Sequence, residues 1–337
     1  MPELTMDEAI DRAVASAMAE DETIVLIAED APMLRAPLFA RFGRERVLGA
    51  PISEAAFLGT AVGAAMAGLR PLVELYMVDF VAVAFDALLN HAAKLPGFSG
   101  GRWTCPLVLR VPSGGGYGDA GQHSQSLWGL LGAIPGLTVV CASTPADAFG
   151  LMATALRHPG PAVLLEPKLL SGFFLETLGR GGRDTVSFDV PPAGARADLG
   201  ESPERVPFGS AAVRREGTDL TICSLAVAVH RSLAAAEELA RAGVSCEVID
   251  LRSLRPLDVE TIVRSVRKTG RLLVADEDYR EYGLSGELAA VALEAGLTPR
   301  FARVCVEDTL PYAPHLEQRA LPNVERIVAG ARGLMAA

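Results

Sequence analysis

The chain has no cluster of basic residues anywhere in its 337 positions. It carries 31 Lys and Arg against 41 Asp and Glu, so its formal net charge is −10. Proteins that bind nucleic acid or anionic membranes use basic patches to pair with phosphate groups. The charge balance therefore argues against either surface as the main partner.

Cysteine is scarce as well, and the five thiols are isolated from one another. There is no C-x-x-C pair and no Cys/His spacing that suits zinc. Most of the cysteines lie in apolar, strand-like runs, as buried thiols of a reducing compartment do. No apolar run reaches the ~18 residues that a membrane span needs, and the first residues lack a basic region followed by an apolar core. These absences predict a cytoplasmic protein.

What is present is a regular alternation of short apolar runs with helical stretches. Thr5-Met6-Asp7-Glu8 is a capping box that predicts a helix through about Ala19, followed by a strand at Thr23–Ile27. Further buried strands are predicted at residues 71–75, 107–111, 137–142 and 162–166, and the alternation resumes after residue 208. This pattern predicts parallel sheets covered on both faces, hence two doubly wound α/β domains at residues 1–170 and 209–337.

The segment between the two domains breaks the periodicity. Six glycines and four prolines punctuate residues 171–208. Such a stretch is too polar and too broken to form a core. We therefore interpret it as an interdomain linker.

A glycine-rich stretch from Ser113 to Gly121 leads into Gln122-His123-Ser124-Gln125-Ser126. The apolar run before it predicts a buried strand, and the residues from Ser126 onward fit the start of a helix. His123 is thus expected beyond the carboxyl end of a strand, where parallel α/β sheets bind their ligands.

The same loop contains a misleading pattern, because residues 116–121 satisfy G-x-G-x-x-G. That spacing suggests a dinucleotide site, but such a site also needs an acidic residue at the end of the next strand to hold the ribose. The run from Val139 to Ser143 ends without one. We therefore do not expect nicotinamide or flavin to bind. Walker loops and Ser-His-Asp elbows are also absent from the sequence.

Two more residues are candidates because of their position. Glu54 opens a helix of small residues, Gly59 through Gly68. An acid there commonly just complements the helix dipole. Small residues, however, allow close subunit or domain contact, and at such a contact the charge of a carboxylate acts strongly on neighbouring groups. Phe80 follows a strand, and core packing is the default interpretation of an aromatic residue there.

Several segments, in chain order, resemble one family. They are Pro51–Glu54, Glu74–Phe80, Gln122–Ser126, Ile134–Val140, Ser143–Ala148, Glu166–Lys168 and Cys246–Asp258. Together they resemble the beta subunit of the thiamine-diphosphate-dependent E1 component of 2-oxoacid dehydrogenase complexes. The run after Gln122 and the segment Asp276–Tyr279 look most similar to the pyruvate and acetoin types.

The resemblance implies a transketolase-type pyrimidine-binding domain followed by a transketolase C-terminal domain. It also implies roles for three residues. Glu54 matches the glutamate that hydrogen-bonds the aminopyrimidine ring of the cofactor and favours its imino tautomer. Phe80 matches the aromatic residue that stacks on that ring. His123 matches the histidine that faces the substrate adduct and acts as a general acid toward the lipoyl group.

Metal ions and partners are implied in the same way. The cofactor diphosphate needs Mg²⁺ held by an acidic G-D-G motif with an asparagine ~30 residues later, and the nearest match here is Gly118-Asp119-Ala120. In the family that motif lies on a separate alpha subunit, so the resemblance implies an α2β2 heterotetramer that serves a lipoyl acyltransferase. A potassium site is implied at positions that correspond to Leu107, Ala155, Leu156, His158 and Gly160.

Three departures from the family leave alternatives open. The chain is shorter between Glu29 and Gly43, its linker is longer, and the glycine-rich segment Tyr282–Gly286 is altered. A biosynthetic relative that passes a two-carbon unit from a ketose or oxoacid to a carrier protein is one alternative. The other is a non-catalytic scaffold for an alpha subunit, although such a scaffold has no need of Glu54, Phe80 and His123.

Overall fold

The chain folds around two β-sheets, and the computed structural model describes residues 3–119, 121–179 and 188–336. Among these residues the strands are β1 (Ile24–Glu29), β2 (Val47–Ala50), β3 (Arg70–Glu74), β4 (Val108–Ser113), β5 (Thr138–Cys141), β6 (Ala162–Pro167), β7 (Ala212–Arg215), β8 (Leu220–Ser224), β9 (Cys246–Asp250), β10 (Ser253–Arg255), β11 (Arg271–Tyr279) and β12 (Arg300–Val306). The α-helices are α1 (Met6–Glu20), α2 (Ala31–Leu34), α3 (Ala36–Phe42), α4 (Glu54–Met66), α5 (Leu95–Phe98), α6 (Trp128–Gly132), α7 (Pro145–Ala155), α8 (Pro192–Ala195), α9 (Val227–Arg241), α10 (Val259–Thr269), α11 (Leu284–Glu294), α12 (Pro314–Ala320) and α13 (Val324–Ala336).

Both sheets are mixed, with one antiparallel strand at the edge of each. Over the described ranges the first sheet has the strand order β10-β5-β6-β4-β3-β1-β2, and the second has the order β12-β11-β8-β9-β7. Only the pairs β10/β5 and β7/β9 are antiparallel in the part of the chain that the structure describes. The predicted fold class, two doubly wound α/β domains, is confirmed.

The first sheet is covered on both faces, as its apolar runs predict. Val25 and Ile27 of β1 point into one buried cluster, while Ile24 and Leu26 point into another. Successive side chains of a strand alternate between faces, so a strand that is apolar throughout needs a core on each side. The first cluster continues into the second half of the chain through residues such as Ile249, which makes one core common to both sheets.

The first helix begins as its capping box predicts. The backbone N–H of Thr5 donates to Glu8 Oε2 at 2.8 Å, and α1 runs on to Glu20. By contrast, the segment that follows β3 is irregular and contains a 3₁₀ turn at Val78–Ala82 and a π-helical turn at Ala87–Ala92.

The predicted linker packs against helices of both halves of the chain over residues 188–208, whereas residues 180–187 lie outside the described residues. The N–H of Leu4 donates to the carbonyl of Ala197 at 2.8 Å, and the N–H of Val206 donates to the carbonyl of Gly150 at 3.1 Å. The glycine- and proline-rich composition therefore belongs to a stretch whose backbone finds part of its hydrogen-bond partners in the surrounding structure.

All five cysteines are free and buried, as expected from the runs in which they lie. Among the helices of the described residues, none combines the length and the apolar character that crossing a bilayer requires.

Candidate active site

The predicted site residues follow neighbouring strands of the first sheet. Glu54 begins α4 after β2, Phe80 lies in the 3₁₀ turn after β3, and His123 follows β4. These strands stand in the order β4-β3-β1-β2 and pair in parallel, so their carboxyl ends share one edge. Doubly wound sheets bind ligands at this edge.

His123 and Phe80 are in direct contact. Their ring centroids are 5.6 Å apart and their planes meet at 76°, an edge-to-face pair. Nδ1 of His123 lies 3.3 Å from Asp119 Oδ2, and the Tyr117 hydroxyl donates to that same oxygen at 3.0 Å. The His123 side chain is 26% exposed. Asp119 thus orients the imidazole and leaves Nε2 as the nitrogen that can serve a substrate.

Lys168, at the end of β6, is a further member of the site to which the sequence analysis assigns no role. It is 1% exposed, and its Nζ donates to the backbone carbonyl of His123 and lies 4.6 Å from the centroid of the Tyr117 ring. Burial lowers the pKa of Lys168 to about 8, against the attraction of three nearby carboxylates. A buried amine is costly unless it is hydrogen-bonded, so this contact fixes the backbone at His123 to β6.

A hydrogen-bonded chain connects the site to the second sheet. Nε2 of Gln125 donates to Asp79 Oδ1 at 2.8 Å, and the hydroxyl of Tyr279 in β11 donates to Gln125 Oε1 at 3.0 Å. The loops after β3 and β4 therefore meet a strand from the other end of the chain.

Glu54 lies farther along the same edge. It is half-buried at the start of α4. Burial, followed by the charges of Glu54 and Asp30, raises the pKa of Glu29 at the end of β1. The carboxylates of Glu54 and Glu29 are thus near enough to repel one another. The structure brings Phe80 and His123 together and places Glu54 after β2, which is two positions from β3 and three from β4 in the sheet.

The same strands carry a buried network of charges that was not predicted from the sequence. Arg110 of β4 donates to Glu74 at 2.8 Å, to Glu166 at 2.7 Å and to Asp11 at 2.8 Å, and Arg35 donates to Glu74 at 2.8 Å. Although burial alone would raise it, the two guanidinium groups hold the pKa of Glu74 below its ordinary value. In the sequence, the available signal of this network was a single charged residue within each of several apolar runs. The network ties together strands whose ends carry the site.

Three consecutive acids of β11, Asp276 to Asp278, are buried beside α6. Oδ1 of Asp276 accepts from Trp128 Nε1 at 2.8 Å, and Oδ2 of Asp278 accepts from the Gly129 N–H at 2.8 Å. Burial, reinforced by the charge of Asp278, raises the pKa of Asp276 to about 7. The helix that follows the His123 loop is therefore anchored by carboxylates of the second sheet.

We expect Asp276→Asn to stabilise the protein at pH 8 and to have a much smaller effect at pH 4. The pKa of Asp276 is about 7 in the folded state, above its ordinary value of 3.8, so the parent protein gains stability as the pH falls between those values. Asparagine does not titrate. Thermal melts across this range should show a difference in Tm, variant minus parent, that widens as pH rises. A difference that stays constant with pH would contradict the assignment.

Comparison with known proteins places this chain in a family. Family models described as the transketolase pyrimidine binding domain and the transketolase C-terminal domain match residues 2–172 and 209–327. The subunit beta of acetoin:2,6-dichlorophenolindophenol oxidoreductase from Cupriavidus necator is 36% identical over 98% of this chain and 97% of its own. The pyruvate dehydrogenase E1 component subunit beta of Rickettsia conorii is 37% identical over 97% of this chain and 96% of its own. The mitochondrial pyruvate dehydrogenase E1 component subunit beta of Chaetomium thermophilum is 38% identical over 96% of this chain and 83% of its own. The chain belongs to the E1 beta-subunit family.

A solved structure shares the fold of this E1 beta-family chain. It is a split-gene transketolase, described as an inactive beta4 tetramer, which superposes with a TM-score of 0.78 over 99% of both chains at 22% identity. The predicted membership in the E1 beta-subunit family, within the transketolase-like superfamily, is confirmed.

The potassium site predicted from that resemblance does not fit this arrangement of residues. The carbonyl oxygens of Leu156 and His158 both accept hydrogen bonds from Arg70, at 3.0 Å from Nε and 2.8 Å from Nη2. Those of Leu107 and Ala155 accept backbone hydrogen bonds. A guanidinium group already supplies the positive charge here and would repel a cation beside it. The site stays a prediction that the geometry disfavours.

Proposed function

We propose that this E1 beta-family chain supplies half of the active site of an enzyme that decarboxylates a 2-oxoacid, or cleaves acetoin, with thiamine diphosphate and passes the acyl group to a lipoyl carrier. The observation that carries the proposal is the contact of Phe80 with His123 at the sheet edge that also holds Glu54. A carboxylate, an aromatic ring and an oriented imidazole are the set of groups that this chemistry requires.

The side chains of these residues are of the chemical types that would bind the aminopyrimidine ring of the cofactor. Glu54 would accept or share a proton with a ring nitrogen, and Phe80 offers an aromatic ring to pack against it. When bound, thiamine diphosphate supplies an electron sink for the carbanion left by decarboxylation. His123, held at Nδ1 by Asp119, delivers a proton from Nε2 during acyl transfer to the dithiolane.

We propose further that an alpha subunit holds Mg²⁺ and the diphosphate, in an α2β2 assembly. The outer face of α4 supports this, because it exposes small residues next to Glu54: Ala55, Ala56, Gly59, Thr60 and Gly63. A Cβ added at Gly59 or Gly63 would meet nothing within 4 Å. Ile52, just before the helix, is 83% exposed. A smooth apolar face of this kind lets another subunit approach the helix backbone closely.

The proposal is tested by calorimetric titration of thiamine diphosphate and Mg²⁺ into this chain, alone and mixed with the alpha-like protein encoded nearest its gene. We expect binding in the mixture only, followed by turnover with pyruvate, acetoin or a related oxoacid. Assembly without binding or turnover would instead support a scaffold. Turnover that requires a phosphopantetheinyl carrier rather than a lipoyl one would support the biosynthetic alternative.

We expect His123→Ala to separate two activities of the assembled enzyme. Transfer to a lipoyl carrier should fall by about 100-fold because the general acid is lost. Decarboxylation followed with an artificial electron acceptor should fall much less, since that reaction opens no dithiolane. Steady-state rates with the two acceptors measure this directly. An equal loss in both would show that His123 serves the earlier step.

A further inference from the structure

A carboxylate from the far end of the chain fills the glycine-rich loop that precedes His123. Glu317 of α12 is 1% exposed. Its Oε1 accepts from the N–H of Gly116 at 2.9 Å, and its Oε2 accepts from the N–H of Gly118 at 3.0 Å. Backbone N–H groups that converge in this way form an anion-binding concavity. Here the anion is a side chain of the protein itself.

The glycines are explained by their backbone conformation and by how closely the segment after β6 and the C-terminal segment approach them. Gly116 and Gly118 have φ of 93° and 80°, a conformation that costs other residues strain. A Cβ at Gly116 would lie 2.6 Å from Leu169 Cδ1, and one at Gly121 would lie 2.4 Å from Thr309 Cγ2. The G-x-G-x-x-G spacing, whose Ala120 lies outside the described residues, thus receives a carboxylate where a dinucleotide site would receive a diphosphate.

The two anchored amides flank Tyr117, which leads directly to the imidazole. The Tyr117 hydroxyl donates to Asp119 Oδ2 at 3.0 Å, and that oxygen lies 3.3 Å from His123 Nδ1. The Tyr117 ring also lies against the Lys168 ammonium, which bonds the His123 carbonyl. Movement of the loop at Gly116 and Gly118 would therefore move Tyr117 and Asp119, the pair that orients the His123 imidazole.

We propose that Glu317 is a positioning residue for His123: by holding the amides on either side of Tyr117, it fixes the Tyr117 and Asp119 pair that orients the imidazole. The inference rests on the acyl-transfer role proposed for His123. It makes α12, near the C-terminal end of the chain, part of the device that aligns the proton donor. Displacement of a catalytic group by ~1 Å is enough to cost about 100-fold in rate.

The test uses Glu317→Gln in the full chain assembled with its alpha partner. Glutamine keeps the size of the side chain but removes its charge, and its amide group presents an N–H to one of the two backbone donors. Asp258→Asn is the matched control. Its Oδ1 accepts from the Thr261 N–H at 3.0 Å and its Oδ2 from the Ala211 N–H at 2.9 Å, so it also bonds two backbone amides, neither of which belongs to the glycine-rich loop.

In Glu317→Gln we expect faster hydrogen exchange at the Gly116 and Gly118 amides and a fall of about 10- to 100-fold in kcat for acyl transfer. The KM for the lipoyl carrier and the rate with an artificial acceptor should stay within about threefold of the parent. In Asp258→Asn we expect a lower Tm with loop exchange and kcat unchanged.

Three results would overturn the inference: unprotected loop amides in the parent, an unchanged kcat in Glu317→Gln, or the same kcat loss in Asp258→Asn. If the glutamine variant does not fold, Glu317→Asp gives the same readouts, because a side chain one methylene shorter cannot reach both amides. A parent assembly that lacks acyl transfer would refute the proposed function and the role of His123 with it. The hydrogen-exchange rates of the Gly116 and Gly118 amides would then still test the Glu317 contact independently of acyl transfer.

Discussion

Glu54→Gln is expected to reduce turnover of the assembled enzyme by about 100- to 1,000-fold while leaving the assembly intact. The substitution conserves size and removes the negative charge at the start of α4, next to Glu29. A neutral amide holds a proton on a cofactor ring nitrogen far less well than a carboxylate does. The loss should therefore appear in kcat and in the rate of hydrogen–deuterium exchange at C2 of the bound cofactor.

The control for this prediction is Glu45→Gln, which removes a carboxylate whose side chain is 85% exposed. It should leave turnover within about twofold of the parent, as surface changes away from special features generally do. Size-exclusion chromatography with the alpha partner checks assembly of both variants. Normal turnover in an assembled Glu54→Gln enzyme would remove Glu54 from the catalytic machinery and favour a scaffold role.

Arg110→Met is expected to lower the free energy of unfolding by about 3–5 kcal/mol, because it removes the guanidinium partner of buried Glu166 and one of the two guanidinium partners of Glu74. Glu74 and Glu166 each have a side chain that is 3% exposed and lie 2.8 and 2.7 Å from the Arg110 nitrogens. The midpoint of urea denaturation at pH 7 measures the loss. Arg267→Met, an exposed site on α10, should change stability by less than about 0.5 kcal/mol.

The pH dependence and a double variant sharpen this prediction. The pKa of Glu74 is lowered in the folded state, so its contribution is present above its ordinary value of 4.5 and is lost as the pH falls below it. The effect of Arg110→Met should therefore shrink in acid. Adding Glu74→Gln should recover part of the loss, because the two residues are directly coupled. Strict additivity of the two substitutions would show that the ion pair contributes little.

Most strands of the fold could be predicted because a buried strand has a local signature. The runs that became β1, β4 and β6 place apolar side chains on both faces of the sheet, and helices separate these runs along the chain. The short strands β2 and β10 were not predictable in this way. β2 exposes Leu48 and Gly49, and β10 has three residues. Too few buried side chains remain in such strands to produce a period.

The residues of the candidate site also fall into a group that the sequence could predict and a group that it could not. Glu54, Phe80 and His123 stand in short motifs that carry a family resemblance, so their sequence context was enough to select them. Lys168 and Glu317 were not selected, because each acts through a backbone group distant in the chain: 45 residues away for Lys168, and 201 and 199 residues away for Glu317.

By itself, the sequence determined the class of the fold and the family and selected the three residues that we propose for the chemistry, since apolar periodicity and short motifs are local properties of a chain. Only the tertiary structure decided that the glycine loop receives the carboxylate of Glu317, that Arg70 binds two of the carbonyls predicted for potassium, and that Arg110 joins three carboxylates. These contacts depend on which distant groups are buried together. In a low-dielectric interior each buried charge must find a partner, and the folded arrangement alone supplies it.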